Sequence, residues 1–433
     1  MEHIVIIGNG IAGTTAARHI RKMSAAKITI ISAESEYFFS RTALMYVYMG
    51  HMKFEHTQPY ENNFWAKNKL GLLRAKVLKI NADVQELELD NGSLLTYDKL
   101  IIATGSKTNM YDWPGQDAYG VLGLYSKQDL EQLEALTPNC KSAVIVGGGL
   151  IGIELAEMLH SRNIPTTLLV REQSFWNIIL PKEESEMVNR EIKNHHINLL
   201  LESEMESIEK DAAGNVQAIV TKDGQRLACD IVGIATGVSP NISFLQGSDI
   251  AIGRGILVNE YLETNIENVY AIGDCAQRIE PLPDRRSIEA VWYTGRMMGE
   301  TVALSIVGKR TEYNPGPWFN SAKFFNIEYQ TYGVVNATAI RGEEHFYWEN
   351  EKGNQSIRIA YGKQEGTFLG INLMGIRMRH EYFHKALLQK QTVEQVVKNI
   401  RQANFDPEFY KKLEPAIQGA FQQSYQRQTE KSY

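Results

Sequence analysis

Two copies of one glycine-rich pattern constrain the fold of this 433-residue chain more than any other feature. Residues 4–13 read Ile-Val-Ile-Ile-Gly-Asn-Gly-Ile-Ala-Gly, and residues 143–152 read Ala-Val-Ile-Val-Gly-Gly-Gly-Leu-Ile-Gly. In both copies four apolar residues typical of a strand lead into GxGxxG, a helical pattern follows, and another apolar strand comes after it. Each copy therefore predicts a βαβ unit with its glycines at the first strand-to-helix turn.

The first copy predicts a loop that binds the pyrophosphate of a dinucleotide. Its first glycine permits a tight turn, its second lets the backbone approach the phosphates, and its third allows close helix–strand packing. The N-terminus of the following helix presents free N–H groups and a positive dipole end to the same phosphates. An acid near the end of the next strand, in the place of Glu34, would bind ribose hydroxyls. The candidate contacts are Gly8, Gly10, Ile11, Ala12, Gly13 and Glu34.

The second copy predicts a nicotinamide dinucleotide site with the same loop but a different strand end. In a typical site of this kind an acid at the end of the strand binds the ribose 2′-hydroxyl. Here that position holds Val170, followed by Arg171 and Glu172. An arginine can pair with a 2′-phosphate, which an acid would repel, so Arg171 favours NADPH or dual use; alternatively Arg171 is only a solvated loop charge. The sequence leaves open whether the site prefers NADH or NADPH. The candidate contacts are Gly147, Gly149, Leu150, Ile151, Gly152 and Arg171.

Composition and charge exclude several classes of function. Apolar residues make up 43% and charged residues 22% of the chain, as in ordinary globular proteins. The net charge of −6 argues against nucleic acid as the main ligand. No apolar run reaches the ~18 residues of a membrane span, and the N-terminus has no signal-peptide pattern, which predicts a cytoplasmic protein. The three cysteines, Cys140, Cys229 and Cys275, lie far apart and predict neither a disulfide framework nor a metal site.

Turn signals divide the rest of the chain. Asn91-Gly92 and Asp223-Gly224 each predict a hairpin between alternating strands. Asn-Pro-Gly-Pro at 314–317 indicates a boundary, after which strand-like runs give way to helical patterns near Glu381. This order predicts a separate C-terminal α+β domain.

Four further segments resemble the pyridine nucleotide–disulfide oxidoreductase superfamily of FAD-dependent proteins. They are Phe39-Ser-Arg-Thr-Ala-Leu44, Ile101-Ile-Ala-Thr-Gly-Ser106, Ala235-Thr-Gly-Val-Ser-Pro-Asn241 and Tyr270-Ala-Ile-Gly-Asp-Cys-Ala276. The last is similar to a strand–turn–helix whose aspartate binds the ribityl chain of FAD. The resemblance implies that a helix starting around Ser287 faces the pyrimidine end of the flavin, and that Glu154 lies near the nicotinamide and Gly237 near the NAD(P). The FAD contacts that it implies are Arg41, Val77, Ala103, Thr104, Gly105, Gly273, Asp274 and Glu289.

The resemblance also implies the architecture, an α/β fold with two Rossmann-like, three-layer dinucleotide-binding domains. The FAD domain is discontinuous, formed by residues 1–113 and 241–315. The NAD(P) domain is inserted between its parts at residues 114–240. Residues 316–433 form the C-terminal α+β domain, of a kind that often makes a dimer interface. The protein is expected to be either a homodimer or a monomer.

The chain departs from the superfamily in its cysteines. Disulfide, peroxide and oxygen reductases of this type carry one or two redox cysteines early in the chain, whereas none occurs here before Cys140. The chain is similar instead to the thiol-free nitrite-reductase, ferredoxin-reductase and rubredoxin-reductase types. Many of these place a lysine at Tyr46 as a partner for the acid matched by Glu154, and here that lysine is missing. Electrons must then leave from the flavin itself.

The predicted function is an FAD-dependent NAD(P)H oxidoreductase without a redox disulfide. It would pass electrons from the nicotinamide through FAD to a ferredoxin, a rubredoxin or a partner reductase. An NAD(P)H oxidase or a quinone or small-acceptor reductase is the alternative, and a flavin-based redox sensor or interaction protein is the alternative of another class. A basic group of residues is either a docking face for an acidic carrier or a solvated surface: Arg377, Arg379, His380, His384 and Lys385.

Overall fold

The computed structural model describes residues 1–405 and 412–430, the last five of them by their backbone alone. The ten helices of these residues are α1 Ile11–Met23, α2 Leu44–Tyr48, α3 Asn63–Lys67, α4 Lys127–Leu136, α5 Leu150–Ser161, α6 Lys182–Asn194, α7 Trp292–Ile306, α8 His380–Leu388, α9 Val393–Lys398 and α10 Glu414–Glu430. Residues 406–411 and 431–433, which belong to the predicted C-terminal domain, lie outside the described residues.

The strands fall into three main sheets and several short ribbons. In chain order they are β1 His3–Ile7, β2 Lys27–Ser32, β3 Leu70–Arg74, β4 Val77–Asn81, β5 Glu86–Leu89, β6 Leu94–Thr96, β7 Lys99–Ile102, β8 Ser106–Thr108, β9 Val121–Leu122, β10 Ala143–Val146, β11 Thr166–Leu169, β12 Asn198–Leu200, β13 Met205–Lys210, β14 Val216–Thr221, β15 Arg226–Ala228, β16 Ile231–Ile234, β17 Val238–Pro240, β18 Ile256–Val258, β19 Val269–Ala271, β20 Ala276–Arg278, β21 Phe319–Phe324, β22 Ile327–Gly333, β23 Glu343–Glu349, β24 Ser356–Gly362 and β25 Phe368–Met374.

The first sheet is parallel and has the order β19-β7-β1-β2-β3. Its central strand β1 has four fully or nearly fully buried residues, as a strand covered on both faces must. The helix α1 connects β1 to β2, which confirms the first predicted βαβ unit. Because β19 pairs with β7 from a distant part of the chain, this sheet is built from two separate segments.

The second sheet repeats this arrangement with the order β12-β11-β10-β16-β9, and all its pairings are parallel. The helix α5 connects β10 to β11, which confirms the second βαβ unit. The segments that follow β7 and β16 then pair with each other as the antiparallel ribbon β8–β17. The two parallel sheets are thereby joined at the two places where the chain crosses between them.

The hairpin predictions are confirmed. Asn91-Gly92 joins β5 to β6, and Asp223-Gly224 joins β14 to β15, in both cases as antiparallel neighbours. The last main sheet is antiparallel, with the order β21-β22-β25-β24-β23, and α8, α9 and α10 follow it in the chain. The parallel sheets with covering helices and this α+β region confirm the predicted fold class. The domain limits at 113, 240 and 315 stay a prediction.

The antiparallel sheet contacts the second parallel unit through charged and aromatic groups. Arg358 Nε lies 2.8 Å from Glu184 Oε1 of α6, and both side chains are almost fully buried. Trp176 makes edge-on ring contacts with Phe324 and Tyr329. A buried ion pair of this kind fixes the relative position of two elements more than it stabilises the fold, because desolvation offsets much of the attraction.

Two local predictions are wrong. The helix expected around Ser287 begins at Trp292, because the backbone is still extended at Val291. The segment around Asp274 is a strand, a short 3-10 turn and a second strand, with no helix directly after the turn. The reason is that β20 finds a partner in β18, and strand pairing outweighs the helical preference of Ala276.

Candidate functional site

The first glycine-rich loop has the close approaches that the sequence predicts. Gly8 has a φ of +112°, and a Cβ placed there would lie 2.1 Å from the carbonyl oxygen of Ala103. A Cβ on Gly13 would lie 2.1 Å from the carbonyl oxygen of Gly8. A Cβ on Gly10 would meet nothing within 4 Å. The loop is therefore tight at both ends and leaves open space at its centre, where a pyrophosphate would contact the helix N-terminus.

Helix α7 packs closely over this loop and α1. A Cβ on Gly299 would lie 2.5 Å from the carbonyl oxygen of Ala12, and one on Gly295 would lie 3.3 Å from Ile11 Cγ2. Gly273 meets the same surface, because its Cβ would lie 3.0 Å from Ala12 Cβ. The segments that carry Ile11, Ala12 and Gly273, predicted separately as FAD contacts, are thus brought together by small residues of α7.

Glu34 and Arg41 form an ion pair at the end of β2. Arg41 donates to both carboxylate oxygens of Glu34, at 2.8 and 2.6 Å, and its guanidinium lies over the Tyr125 ring. The backbone N–H of Lys127, in the first turn of α4, donates to the same carboxylate at 2.9 Å. The structure therefore brings these two predicted FAD contacts together. Since a carboxylate accepts about four hydrogen bonds, Glu34 keeps capacity for a ribose hydroxyl.

Asp274 is half-buried where several of these segments meet. Ser106 Oγ and Tyr125 Oη both donate to Asp274 Oδ2 at 3.3 Å, and the backbone N–H of Ser106 donates to Tyr125 Oη at 2.8 Å. Burial raises the pKa of the Asp274 carboxyl, although these donors and the charge of Arg41 oppose the shift. A partly buried acid with hydroxyl partners suits the recognition of a polyol chain.

The remaining predicted FAD residues lie on neighbouring elements. Ala103, Thr104 and Gly105 follow β7 directly, and Thr104 Oγ1 donates to the carbonyl oxygen of Asn241 at 2.9 Å. Glu289 pairs with Arg285, both almost fully buried, at 2.5 Å. Val77 lies buried in β4, paired with Leu89, and its role stays a prediction.

The second glycine-rich loop reproduces the geometry of the first. Gly147 has a φ of +125°, and its Cβ would lie 2.3 Å from the carbonyl oxygen of Ala235. A Cβ on Gly152 would lie 2.2 Å from the carbonyl oxygen of Gly147, whereas one on Gly149 would meet nothing within 4 Å. Leu150 and Ile151 open α5, and Gly237 follows β16 with its Cβ position 3.4 Å from Asn109 Nδ2.

The strand end beside the second loop is apolar, with a charged pair next to it. Val170 is fully buried, and a Cβ on Gly148 would lie 2.6 Å from Val170 Cγ1. Arg171 is 71% exposed and donates to Glu172 Oε1 at 2.8 Å. The Arg171 guanidinium is therefore accessible to a ligand, while Glu172 lies within reach to compete for it.

Glu154 belongs to a charged group on α5. It is half-buried, and burial together with the negative charge of Glu157 raises the pKa of its carboxyl to about 7. Glu157 in turn accepts a hydrogen bond from Lys323 Nζ of β21 at 2.6 Å. A carboxyl with a pKa near neutrality can hold or release a proton under physiological conditions.

The three cysteines are free thiols at separate places. Burial raises the pKa of Cys140 to about 11 and that of Cys229 to about 12, and it also raises the pKa of Cys275. Thiols with pKa values this high are almost wholly protonated near pH 7 and are poor nucleophiles. None is prepared for a dithiol relay.

No helix within residues 1–405 and 412–430 is long and apolar enough to cross a membrane. No three His, Cys, Asp or Glu side chains in the same ranges come close enough together to hold a metal ion.

The basic group in the C-terminal region is partly neutralised, since Arg377 pairs with Glu328 at 2.6 Å.

Sequence reasoning missed four contributors to these sites. Ser106 directly follows the Ala-Thr-Gly segment, so its position beside the site could have been read from the motif. Tyr125 and Lys323 belong to no motif and meet their partners across long stretches of chain, whereas Arg285, also outside any motif, pairs with Glu289 four residues later. Only the folded structure reveals them.

The chain was compared with known proteins. The family model described as pyridine nucleotide-disulphide oxidoreductase matches residues 2–299. The assimilatory nitrate reductase electron transfer subunit of Bacillus subtilis (strain 168) is 29% identical over 279 residues, covering 64% of this chain and 36% of that protein. Rhodocoxin reductase of Rhodococcus erythropolis is 28% identical over 332 residues, covering 74% of this chain and 76% of that protein.

A solved structure supports the fold. The ferredoxin reductase for the CYP199A2 system from Rhodopseudomonas palustris has a TM-score of 0.82 at 21% identity, covering 95% of this chain and 98% of that one. The match to the Bacillus subtilis nitrate reductase subunit, in contrast, spans only about a third of that protein. The family model covers well over half of the present chain. With both glycine-rich loops in place, the chain belongs to the pyridine nucleotide-disulphide oxidoreductase family, which binds FAD and NADH or NADPH.

Proposed function

We propose that this protein takes electrons from NADH or NADPH onto FAD and passes them to an electron-carrier protein. The assignment of the two dinucleotides follows chain order: FAD at the first glycine-rich loop and the nicotinamide dinucleotide at the second. In this proposal residues 1–113 and 241–315 form the FAD domain, residues 114–240 the NAD(P) domain and residues 316–433 the C-terminal domain.

The first site suits FAD in three respects. The space beside Gly10 is open for a pyrophosphate, Glu34 lies at the end of β2 for a ribose, and Asp274 with its hydroxyl partners is available for the ribityl chain. Arg41 extends across the site from Glu34 toward Tyr125 and carries a charge that would neutralise phosphate. When bound, FAD supplies the ability to accept two electrons as a hydride and to release them one at a time.

The second site suits the nicotinamide dinucleotide. The open space beside Gly149 would take its pyrophosphate, and Val170 with Arg171 would lie at the adenosine ribose. Glu154, one turn into α5, would lie beside the nicotinamide and hold a proton there near pH 7. These residues orient the donor and exclude water, and orientation of the two rings lowers the entropic cost of hydride transfer.

The state of the three cysteines indicates that the electron acceptor is external to the chain. The chain has three cysteines, and all are separate thiols whose pKa is raised by burial. Without a thiol pair to receive electrons, the flavin itself must deliver them to an external acceptor. Rhodocoxin reductase and the ferredoxin reductase of the CYP199A2 system are named for the carrier proteins that they reduce. These names support a small redox protein as the acceptor. Free thiols also fit the reducing cytoplasm, which we propose as the compartment.

Stopped-flow spectroscopy tests this proposal. The FAD-bound protein is reduced with one equivalent of NADH or NADPH and then mixed with a ferredoxin, a rubredoxin, oxygen or a quinone. We expect reoxidation by at least one of the iron proteins to be faster than reoxidation by oxygen or by the quinone. Fast reoxidation by oxygen alone would indicate an oxidase. A reduced flavin that persists against every acceptor would contradict electron transfer as the function.

A further inference from the structure

Glu154, Glu157 and Lys323 form a chain of charges that joins the second dinucleotide site to the antiparallel sheet. Glu154 and Glu157 are three residues apart on α5 and therefore lie on the same side of the helix. Lys323 comes from β21 and places its Nζ 2.6 Å from Glu157 Oε1. The Glu157 side chain is only 13% exposed, so this ion pair is screened less than a surface pair.

The elements packed against α5 contribute few other charges to this group. The strands β10, β11 and β16 carry no titratable side chain, and α2 contributes only the phenols of Tyr46 and Tyr48. His160, the next residue along this side of α5, makes ring contacts with His195 and Phe325, and Glu157 is among the charges that act on it. Lys323 is therefore the cation that faces Glu157 from the neighbouring elements.

We propose that Lys323 is a positioning residue that sets the protonation of Glu154 by neutralising Glu157. This inference rests on the proposed placement of Glu154 beside the nicotinamide. An unpaired Glu157 carboxylate repels a second negative charge on Glu154 and favours its protonated form. Lys323 offsets that repulsion, so a residue of the C-terminal region controls the charge beside the reacting ring. Lys323 approaches α5 from β21, whereas Tyr46 lies on α2.

The test measures the titration of Glu154 directly in the FAD-bound protein. Glutamate labelled with carbon-13 at its carboxyl gives an NMR signal for each residue, and the signal that disappears in Glu154→Gln identifies Glu154. We expect Lys323→Met to raise the midpoint by about 0.5–1 pH unit, as one partly screened charge at this range would. Lys323→Arg keeps the charge and should leave the midpoint near that of the wild type.

Two further variants separate the electrostatic effect from a structural one. Glu157→Gln removes the repulsion and should lower the midpoint. In that background Lys323→Met should shift the midpoint much less than it does in the wild type. Lys210→Met is the matched control, because Lys210 has nearly the same exposure as Lys323, 37% against 38%, and pairs with Asp117 at 2.9 Å. It should shift nothing.

The pH profile of flavin reduction by the nicotinamide connects the inference to function. We expect it to move by the same amount as the NMR midpoint in Lys323→Met and to flatten in Glu154→Gln. An unchanged NMR midpoint in Lys323→Met would overturn the inference, whatever the kinetics. A shifted midpoint with no effect of Glu154→Gln on flavin reduction would instead overturn the placement of Glu154 at the nicotinamide, and with it any role of Lys323 in that step.

Discussion

The two glycine-rich regions have nearly the same loops but different surroundings. In both, the first glycine adopts a positive φ and approaches a carbonyl oxygen of the neighbouring strand end, and the middle glycine faces open space. The end of β2 carries Glu34 in an ion pair with Arg41, whereas the end of β11 is followed by the buried Val170. In the proposed function, phosphate binding depends on backbone geometry that both copies share, and selectivity for the ribose depends on one side chain that differs.

The helices that follow the loops differ as well. On α1 the second residue after the last glycine is Thr15, which is covered by α7, since a Cβ on Gly299 would lie 3.0 Å from Thr15 Cβ. On α5 the corresponding residue is Glu154, which keeps partial exposure. The first helix is therefore packed into a core at this position, whereas the second carries a partly exposed acid.

The largest expected effect separates the two loops. Gly10→Val should give folded but colourless protein, and Gly149→Val should give yellow protein with a much higher KM for the nicotinamide. An added Cβ at either place meets nothing within 4 Å, and the valine side chain would occupy the phosphate space; two lost charge-assisted hydrogen bonds correspond to roughly 100-fold or more in affinity. Absorbance of bound FAD and steady-state KM report the two outcomes.

Gly419→Val is the control for this pair, because its added Cβ also meets nothing within 4 Å and it lies on α10, far along the chain from both loops. It should retain FAD and an unchanged KM. If Gly149→Val lost FAD as completely as Gly10→Val, the two loops could not be assigned to separate dinucleotides.

A substitution at the strand end beside the second loop should have the next largest effect. Val170→Glu should shift the ratio of kcat/KM toward NADH by roughly 5–150-fold, because a carboxylate near a 2′-phosphate is unfavourable by about 1–3 kcal/mol. Val170→Gln is the matched uncharged control, and thermal melts of both variants monitor any cost of placing a polar group against Gly148. An equal ratio in the two variants would show that residue 170 does not face the ribose.

The contrast between Thr15 and Glu154 predicts a smaller effect on stability. The folded pKa of Glu154, about 7, lies above its ordinary value of 4.5, so the folded protein binds more protons than the unfolded chain between these pH values. Its stability should therefore fall as pH rises from 5 to 8, by about 1–2 kcal/mol relative to Glu154→Gln after allowance for partial exposure. Urea denaturation at three pH values measures this, with Thr15→Val as the uncharged control. Curves that stay parallel would contradict the raised pKa.

The smallest expected effect concerns the thiols. Replacement of all three cysteines by alanine should leave nicotinamide-dependent reduction of ferricyanide within about twofold of the wild type, since no thiol relays electrons between the two sites. A modest loss of thermal stability is expected from Cys275, which is fully buried. A variant that binds FAD normally and yet fails to turn over would refute the thiol-free mechanism.

Much of the fold could be predicted from local pattern. The paired GxGxxG motifs with flanking apolar strands specified both βαβ units, because phosphate loops of this type tolerate few residues at their close approaches. Asn91-Gly92 and Asp223-Gly224 specified two hairpins by turn chemistry alone. The predictions failed at residues 276–291, where β20 pairs with β18 and Glu289 is held by Arg285. Pairing of β20 with a strand from an earlier part of the chain outweighed the local preference at residues 276–278.

The sequence by itself determined the local features of the two sites: two dinucleotide loops, the acid at Glu34, the apolar residue at Val170 and the lack of a cysteine pair. These features follow from short segments whose function requires particular residues at fixed spacing. The tertiary structure decided which side chains complete the sites. Tyr125 meets Asp274, and Lys323 meets Glu157, across 149 and 166 residues of chain. No periodicity or motif encodes such contacts, since they arise only when separately formed sheets and helices pack against each other.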